Sequence, residues 1–450
     1  LTWLALASLY FYGYWNVRYV GLLLASISIN YGLSQGLVKL REQPHRAGAL
    51  LTLALIFNLA LLAYFKYANF FTSNLGNALG QSWSLAEIVL PMGISFFTFT
   101  QIAFLVDTHR RKVDRVDFIP YVLFVTYFPH LIAGPILHHS QMMPQFAKAQ
   151  IFKFDKDNFG LGLTIFIIGL AKKVLLADVL AEAVDPAFGA AVRSEALPTI
   201  HAWIGALSYS LQLYFDFSGY SDMAIGLALM MNVRLPLNFD SPYKAKSIIE
   251  FWRRWHMTLS QFLRDYLYIA LGGNRHGSAR RYTYLFITML LGGLWHGASW
   301  NFVVWGALHG LYLMLNHAWR SLIKAKDDDA IASKTNNVTS YALSFFYVGL
   351  TYFCVLVAWV FFRADDMPAA LHVLHSMFGN ISAPNLRWGQ IREPIKYILL
   401  GSIIVWCAPN SQQLLVRLRP SYVTGALASV LFIACVDRLN LVSEFLYFRF

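Results

Sequence analysis

The sequence has few charged residues. Asp, Glu, Lys and Arg make up 13% of its 450 residues, whereas soluble domains contain roughly 25%. Hydrophobic residues make up 57%, and the mean hydropathy is +0.48. A soluble chain of this length would need more charge to cover its surface. The composition therefore predicts a polytopic membrane protein and excludes a disordered chain, a coiled coil and a disulfide scaffold.

Cysteine is also scarce. Cys354, Cys407 and Cys435 lie in apolar runs without CxxC spacing, so we interpret them as small core residues rather than as disulfides or metal ligands. The net charge of +12 favours membrane topology and contact with lipid headgroups, because basic loops orient membrane proteins. Nucleic-acid binding is not expected.

The chain begins at Leu1 rather than at Met, which predicts that the numbering begins inside a longer gene product. No cleavable signal peptide is expected, because the first basic residue, Arg18, follows the first apolar run.

Apolar stretches recur along the whole chain, and a helix needs roughly 20 residues to cross a bilayer. The pattern predicts an all-α fold with about 11 membrane helices in a single integral membrane domain over 1–450, the shorter ones being re-entrant or half-spans. The stretches lie near 2–17, 19–38, 48–66, 87–106, 118–137, 159–180, 199–231, 283–316, 341–362, 395–408 and 422–436.

The segment 239–282 is too polar to span a membrane. Within it, Phe251 to Tyr268 is predicted to form one amphipathic helix that lies in the membrane interface. His256 falls inside the apolar arc of that helix, where an imidazole is costly unless it has a partner.

A second histidine, His296, lies deep in the apolar run that follows. It is preceded by Trp295 and flanked by Gly293 and Gly297 in a GxxxG pattern, which lets a helix backbone or a narrow channel approach closely. A histidine at membrane depth indicates function by default, as a proton acceptor, or else bridges two helices by hydrogen bonds. His309 is interpreted as structural.

Two carboxylates, Asp216 and Asp222, share an apolar run with Tyr220. They lie about 240° apart on a helix, so they are not expected to act as a catalytic pair. Either they pack helices together, or one of them orients a catalytic histidine or a hydroxyl substrate. As buried carboxylates they need partners, and a histidine or an arginine would serve.

Basic residues gather around the polar segment. Arg253, Arg254, Arg264 and Arg275 either set membrane topology or form the mouth of a site for a phosphate-bearing donor such as coenzyme A.

His138 and His139 are not expected to bind a metal, because no carboxylate or cysteine follows at ligand spacing. The aromatic tail 443–450 either anchors the chain at the interface or presents Tyr447 to the active site.

Together these features resemble the membrane-bound O-acyltransferase superfamily, in particular its bacterial alginate O-acetylation branch. The core motifs lie within 91–310, and the tail FLYFRF is also similar. The stretches that carry the resemblance are PMGISFFTFTQIAFLVD, FPHLIAGPILHHSQMMPQF, YFDFSGYSDMAIGL, FWRRWHMTLSQFLRDYLYIALGGNR and LGGLWHGASWNFVVWGALHG.

The resemblance implies an acetyl-CoA-dependent O-acetyltransferase of the bacterial inner membrane, with a funnel through a helical domain. His296 would be the catalytic base, His256 would hold the substrate oxygen, and Tyr447 would accept the acetyl group transiently. An extracytoplasmic, SGNH-hydrolase-like acetyltransferase would then pass it to a polysaccharide. An alginate-like polymer is favoured, and peptidoglycan or cellulose is the alternative. A proton-coupled transporter or flippase, and a secretion scaffold, are the rival classes.

Overall fold

The computed structural model describes residues 1–83, 85–86, 88–114, 116–327, 337–379, 388–417, 421–439 and 445–446. The described residues form helices joined by loops, so the predicted all-α fold is confirmed. They divide into two compact units. Unit 1 comprises Leu1–Phe166 and Met223–Pro236, and unit 2 comprises Ile167–Asp222 and Leu237–Phe450. A single domain over the whole chain stays a prediction.

Unit 1 is built from helices whose few polar side chains bond to one another. Asn58 donates a 2.6 Å hydrogen bond to Asn30, and Gln101 donates one of 3.1 Å to Ser26, so the buried amides are satisfied inside the unit. Its helices are α1 (Thr2–Trp15), α2 (Val17–Lys39), α3 (Pro44–Leu62), α4 (Ala68–Ala78), α5 (Ile94–His109), α6 (Phe118–Thr126) and α7 (His139–Phe146).

Unit 2 holds the segments in which the sequence places its candidate chemistry. Helices α8 (Lys156–Ala171) and α10 (Thr199–Met230) contribute residues to both units. The others are α9 (Asp178–Val192), α11 (Ile248–Arg254), α12 (Met257–Phe262), α13 (Gly277–His296), α14 (Trp300–Asp327), α15 (Asn337–Arg363), α16 (Met367–Phe378), α17 (Trp388–Cys407), α18 (Ser411–Arg417) and α19 (Tyr422–Asp437).

Shorter helical segments interrupt these elements. The π-helical turns are Ala63–Tyr67, Lys172–Ala177 and Leu263–Tyr268, and the 3₁₀ turns are Ala149–Phe152 and Pro242–Lys244.

The number of membrane helices is not confirmed. Among the described residues, three helices are long and apolar enough to cross a membrane, Val17–Lys39, Pro44–Ala78 and Tyr341–Arg363. A fourth is present if Ile391–Cys407 and Ser411–Arg417, which meet at 54°, form one bent span. Other helices carry charged residues such as Asp216, which a helix can hold at membrane depth where protein rather than lipid surrounds it.

The single amphipathic helix predicted over Phe251 to Tyr268 is wrong. The chain forms α11, then turns at Trp255 and His256, and continues as α12 and the π-helical turn. His256 adopts φ +42°, in the left-handed region, which interrupts the helix because a non-glycine residue is strained there. The buried position of the His256 side chain therefore results from this turn and not from the apolar face of a regular helix.

The glycines around His296 bring two helices together. A Cβ atom on Gly293 would lie 2.2 Å from the Phe302 carbonyl oxygen, and one on Gly306 would lie 2.5 Å from the Met289 carbonyl oxygen. Helices α13 and α14 therefore pack with their backbones in contact, as small residues allow. Of the two predicted roles for Gly293, the close approach of a helix is the one observed.

Candidate functional site

His256 and His296 line one small cavity in unit 2. Its free volume is about 30 Å³, which is room for one or two water molecules. The sequence predicted His256, His296, Trp295 and Asp216 as site residues, and the structure brings all four to this cavity. The complete lining is Leu213, Asp216, Phe217, Trp255, His256, Trp295, His296, Trp359, Phe362, Phe445 and Leu446.

His256 is fixed by a side chain from the preceding loop. It is 1% exposed, and its Nδ1 lies 3.0 Å from Oδ1 of Asn238. The same amide oxygen accepts a 2.9 Å hydrogen bond from the Thr258 hydroxyl. Phe217 packs edge-on against the imidazole at 4.8 Å. Because an amide oxygen accepts, Nδ1 carries the proton and Nε2 remains as an acceptor.

His296 is the last residue of α13 and is half-buried among aromatic rings. Its ring centroid lies 4.9 Å from Trp295, 5.0 Å from Trp305 and 5.1 Å from Phe362, each in an edge-on arrangement. The helix ends there because Gly297 is extended. A Cβ on Gly297 would lie 2.1 Å from the Phe302 ring. The absence of a side chain at Gly297 therefore lets the aromatic rings pack around the imidazole. We call the rings of Trp295, Trp305 and Phe362 the aromatic box.

The carboxylate on the cavity belongs to a buried ion pair. Asp216 is 1% exposed, and Nζ of Lys173 lies 2.8 Å from its Oδ1 and 2.7 Å from Asp178. Lys173 itself is 7% exposed. The prediction that a histidine or an arginine would serve as partner is wrong for this carboxylate: it is lysine that shares its charge.

The C-terminal tail enters the same region. The backbone N–H of Leu446 donates a 3.1 Å hydrogen bond to Oδ2 of Asp216, and Leu446 is 4% exposed. Phe445 packs on Tyr220 with ring centroids 4.8 Å apart and lies under Nζ of Lys173 at 5.7 Å. Tyr220 therefore supports the tail. Tyr447, the predicted acyl acceptor, lies outside the described residues.

Asp222 is not brought to the cavity. Its Oδ2 lies 2.6 Å from Nζ of Lys172, which also donates to Ser411 at 3.1 Å. The two carboxylates of α10 thus pair with successive lysines of one π-helical turn. A π-helical turn inserts an extra residue, and such turns often occur at functional sites. The prediction that Asp216 and Asp222 do not form a pair agrees with these contacts.

A basic cleft of about 440 Å³ opens beside the aromatic box. Arg253 and Arg264, both predicted donor-binding residues, line it together with Arg281 and His317. A guanidinium nitrogen of Arg281 lies 2.9 Å from Nδ1 of His317. Arg264 already pairs with Asp265 at 2.7 Å, so Arg253 and Arg281 are the guanidinium groups of the cleft that are best placed to neutralise phosphate charges.

The other two predicted donor-binding residues do not line this cleft. Arg254 pairs with Glu250 at 2.8 Å and reaches the Asp240 carbonyl at 3.3 Å, so it stabilises the local fold. Arg275 is exposed to solvent. Two of the four predicted arginines therefore line this cleft, and their donor-binding role stays a prediction.

The cleft and the cavity are separated by two indoles. Trp252 lines the cleft, and its ring centroid lies 5.8 Å from that of Trp305, which packs against His296. Trp252 also donates a 3.2 Å hydrogen bond from Nε1 to His309. His309 is fully buried, and this contact agrees with its structural interpretation.

Several residues of this region were missed by sequence reasoning. Asn238 lies in a loop without a motif and becomes important only through its contact with His256. Lys172 and Lys173 carried a usable signal, because two lysines inside an apolar segment require buried counter-charges. Arg281 is one of several basic residues in its segment, and its place in the cleft depends on the fold of α13.

Comparison with known proteins identifies the family. Residues 46–359 match the model of the membrane-bound O-acyltransferase family. The chain is 44% identical over 404 residues to a peptidoglycan O-acetyltransferase of Helicobacter pylori, covering 84% of this chain and 73% of that protein. It is 41% identical over 410 residues to a probable alginate O-acetylase of Azotobacter vinelandii, covering 89% and 77%.

A more distant relative is a teichoic acid D-alanyltransferase of Streptococcus thermophilus. It is 26% identical over 287 residues, which cover 60% of this chain and 68% of that protein. The family match and the named O-acetyltransferases exclude the rival transporter and scaffold classes. The chain belongs to the membrane-bound O-acyltransferase family, resembles the alginate O-acetylases within it, and is a membrane O-acetyltransferase.

Proposed function

We propose that the protein transfers an acetyl group from acetyl-CoA to a hydroxyl, with His296 as the general base. The observation that carries the proposal is the cavity shared by His296 and His256. An imidazole in its neutral form can accept the proton of a hydroxyl. The aromatic walls exclude water, which protects the thioester from hydrolysis.

The proposed transfer of the acetyl group consists of one attack on the thioester and one proton transfer through His296. His296 takes the proton of the hydroxyl as its oxygen attacks the thioester carbonyl carbon. The new C–O bond forms, the C–S bond breaks, and the proton passes from His296 to the departing thiolate. The hydroxyl has one proton: it bonds to Nε2 of His256, which is an acceptor, on entry and turns to His296 for the attack, and His256 has no proton to donate to the carbonyl oxygen.

The basic cleft suits the donor. Arg253 and Arg281 supply positive charge for the phosphates of coenzyme A, beside an Arg264 that Asp265 holds. The pantetheine arm then passes the indoles of Trp252 and Trp305 to reach His296. Guanidinium groups bind phosphate bidentately, whereas an apolar cleft would bind the nucleotide weakly.

Tyr447 is the proposed first acceptor. Two described residues immediately before it, Phe445 and Leu446, line the cavity, and this supports a tail that presents the next side chain to His296. The phenol would gain the acetyl group in the step above. The cavity is too small for both substrates as it stands, so the tail must shift when the thioester enters.

The final acceptor is proposed to be an extracytoplasmic polysaccharide. An alginate-like exopolysaccharide is favoured, and the printed names of the relatives make peptidoglycan the main alternative, with cellulose a further one. An SGNH-hydrolase-like acetyltransferase outside the inner membrane would take the acetyl group from the tail. Acetyl-CoA is cytoplasmic, so a multi-pass protein in the inner membrane is needed to link the two.

The direct test is donor consumption. Purified protein in lipid vesicles is given acetyl-CoA labelled in the acetyl group, and hydroxylamine-labile label is counted on protein and on added polysaccharide. We expect free coenzyme A to appear in step with ester-linked label. Transport of intact acetyl-CoA into the vesicles without ester formation would contradict the proposal.

The tail is tested separately with Tyr447→Phe. We expect label on the protein to fall to background, because phenylalanine has no nucleophilic oxygen, while folding is unaffected. Tyr422→Phe is the matched control, since Tyr422 is 99% exposed at the start of α19. Normal polymer acetylation by Tyr447→Phe would remove the tail from the pathway and leave the role of His296 intact.

A further inference from the structure

Unit 1 contains a second histidine cluster, formed by residues that the proposed function does not use. Asp107, in the last turn of α5, meets His138 and His139 at the start of α7. One ligand atom from each residue lies within 4.8 Å of the other two. The carboxylate is completely buried, His139 is 8% exposed, and His138 is 33% exposed.

Both imidazoles turn towards the same carboxylate oxygen. Nε2 of His138 lies 2.6 Å from Oδ2 of Asp107, and Nδ1 of His139 lies 3.6 Å from it. Nδ1 of His139 is buried and has no hydrogen-bond partner among the described residues. A buried polar nitrogen without a hydrogen bond costs free energy, and a cation between it and the carboxylate would remove that cost.

We propose that Asp107, His138 and His139 bind a divalent transition metal, with Zn²⁺ as the preferred ion. Two imidazoles and one carboxylate are a common zinc ligand set that leaves a fourth position for water. His138 is partly exposed, so the ion and this water can reach the site past its side chain. Nδ1 of His138 lies 2.6 Å from the Ser140 hydroxyl and accepts a 3.4 Å hydrogen bond from the Ser140 backbone N–H, so Ser140 holds the ring with Nε2 directed at Asp107.

The distances need only a small adjustment. Tetrahedral ligands at about 2.1 Å from zinc lie roughly 3.4 Å from one another, close to the observed 3.6 Å between Asp107 and His139. The shorter contact from His138 must open by less than about 1 Å, and its exposed ring has room to move. Lys112 and Arg110 lie 3.5 and 4.0 Å from the other oxygen, Oδ1, so Oδ2 remains the metal-facing atom.

The metal would join two elements that are distant in sequence. Asp107 ends α5, whereas His138 and His139 follow the Pro- and Gly-containing loop after α6. Fixing this loop through three ligands stabilises unit 1, because the ion binds the folded site and not the dispersed residues of the unfolded chain. The role is structural and requires no step of acetyl transfer.

The test uses the full-length protein purified in detergent without a polyhistidine tag. The protein is stripped with a chelator, incubated with micromolar Zn²⁺, freed of excess ion and measured by plasma mass spectrometry. We expect one zinc per chain and a higher unfolding temperature that the chelator reverses. Less than half an equivalent of zinc together with no temperature shift would overturn the site.

Variants locate the ion. His138→Gln/His139→Gln is expected to reduce bound zinc at least tenfold, and Asp107→Asn, which keeps the side-chain shape, to weaken zinc binding at least tenfold. His45→Gln is the control, because His45 is exposed in unit 1 and should retain full zinc. If the double variant binds as much zinc as His45→Gln, the ion lies elsewhere and the proposal fails.

Discussion

The two units of the molecule use buried histidines beside a carboxylate in opposite ways. In unit 1 the carboxylate of Asp107 contacts two imidazoles directly. In unit 2 the carboxylate of Asp216 contacts Lys173 and the backbone of Leu446, while His256 bonds to an amide and His296 lies in an aromatic box.

The difference concerns what each imidazole can do. A histidine bonded to a carboxylate is held in one orientation and is a good metal ligand. A carboxylate whose charge is neutralised by a lysine does little to favour the protonated form of a nearby histidine, and aromatic rings disfavour that form. Such a histidine can act as a base in its neutral form. Lys173 in unit 2 thus neutralises Asp216, and a neutral imidazole of this cavity can take the proton of a substrate hydroxyl.

The largest expected difference in stability lies in the lysines. Lys173→Met leaves the buried carboxylates of Asp216 and Asp178 without their cation, which costs about 3–5 kcal/mol. Lys112→Met, beside Asp107, should cost less than about 1 kcal/mol, because 58% of the Lys112 side chain is exposed and screened by water. Unfolding midpoints of the two variants in the same detergent measure the difference.

A second substitution tests the same ion pair from the side of the carboxylate. Asp216→Asn removes the partner instead of the lysine, and it should also lower the midpoint because Lys173 loses one of its two buried carboxylates. Equal midpoints for Lys173→Met and Lys112→Met would mean that the two carboxylates do not differ in their dependence on lysine, and the comparison would fail.

A smaller effect is expected in the basic cleft. Arg253→Gln should raise the KM for acetyl-CoA about tenfold with little change in kcat, since one lost phosphate contact is worth about 1.4 kcal/mol. The rise should shrink as salt is added, because salt screens the remaining charges. Steady-state kinetics over a range of acetyl-CoA concentrations measure it.

Arg275→Gln is the control for this variant. Arg275 belongs to the same basic segment but is exposed and does not line the cleft, so its KM should stay within about twofold of wild type. Identical rises for the two variants would indicate a diffuse surface potential and not a built phosphate site.

Much of the fold and the core of the site could be predicted from the sequence. His296 and His256 are polar residues in apolar surroundings, and this conflict is visible without a structure. The break at His256 could not be predicted, because it depends on a left-handed backbone held by contacts with Asn238. The number of spans stays a prediction: three or four helices among the described residues are long and apolar enough to cross a membrane, and others, such as α10, carry buried ion pairs.

The histidine pair of unit 1 shows a different limit. The expectation of no metal at His138 and His139 rested on a search for ligands that follow them in sequence. Asp107 precedes His138 by 31 positions and contacts both histidines only because α5 ends beside the start of α7. Spacing rules find ligands within one loop or helix, and they miss ligands that tertiary packing supplies.

The most direct test of the central claim compares two half-buried histidines of unit 2. His296→Ala should reduce acetyl transfer from acetyl-CoA by about 10²–10⁴-fold, the usual contribution of a general base. His372→Ala, which removes a ring whose Nδ1 lies 3.4 Å from the Ala191 carbonyl, should retain transfer within about threefold. Wild-type transfer by well-folded His296→Ala protein, or an equal loss in both variants, would contradict the assignment of His296 as the base.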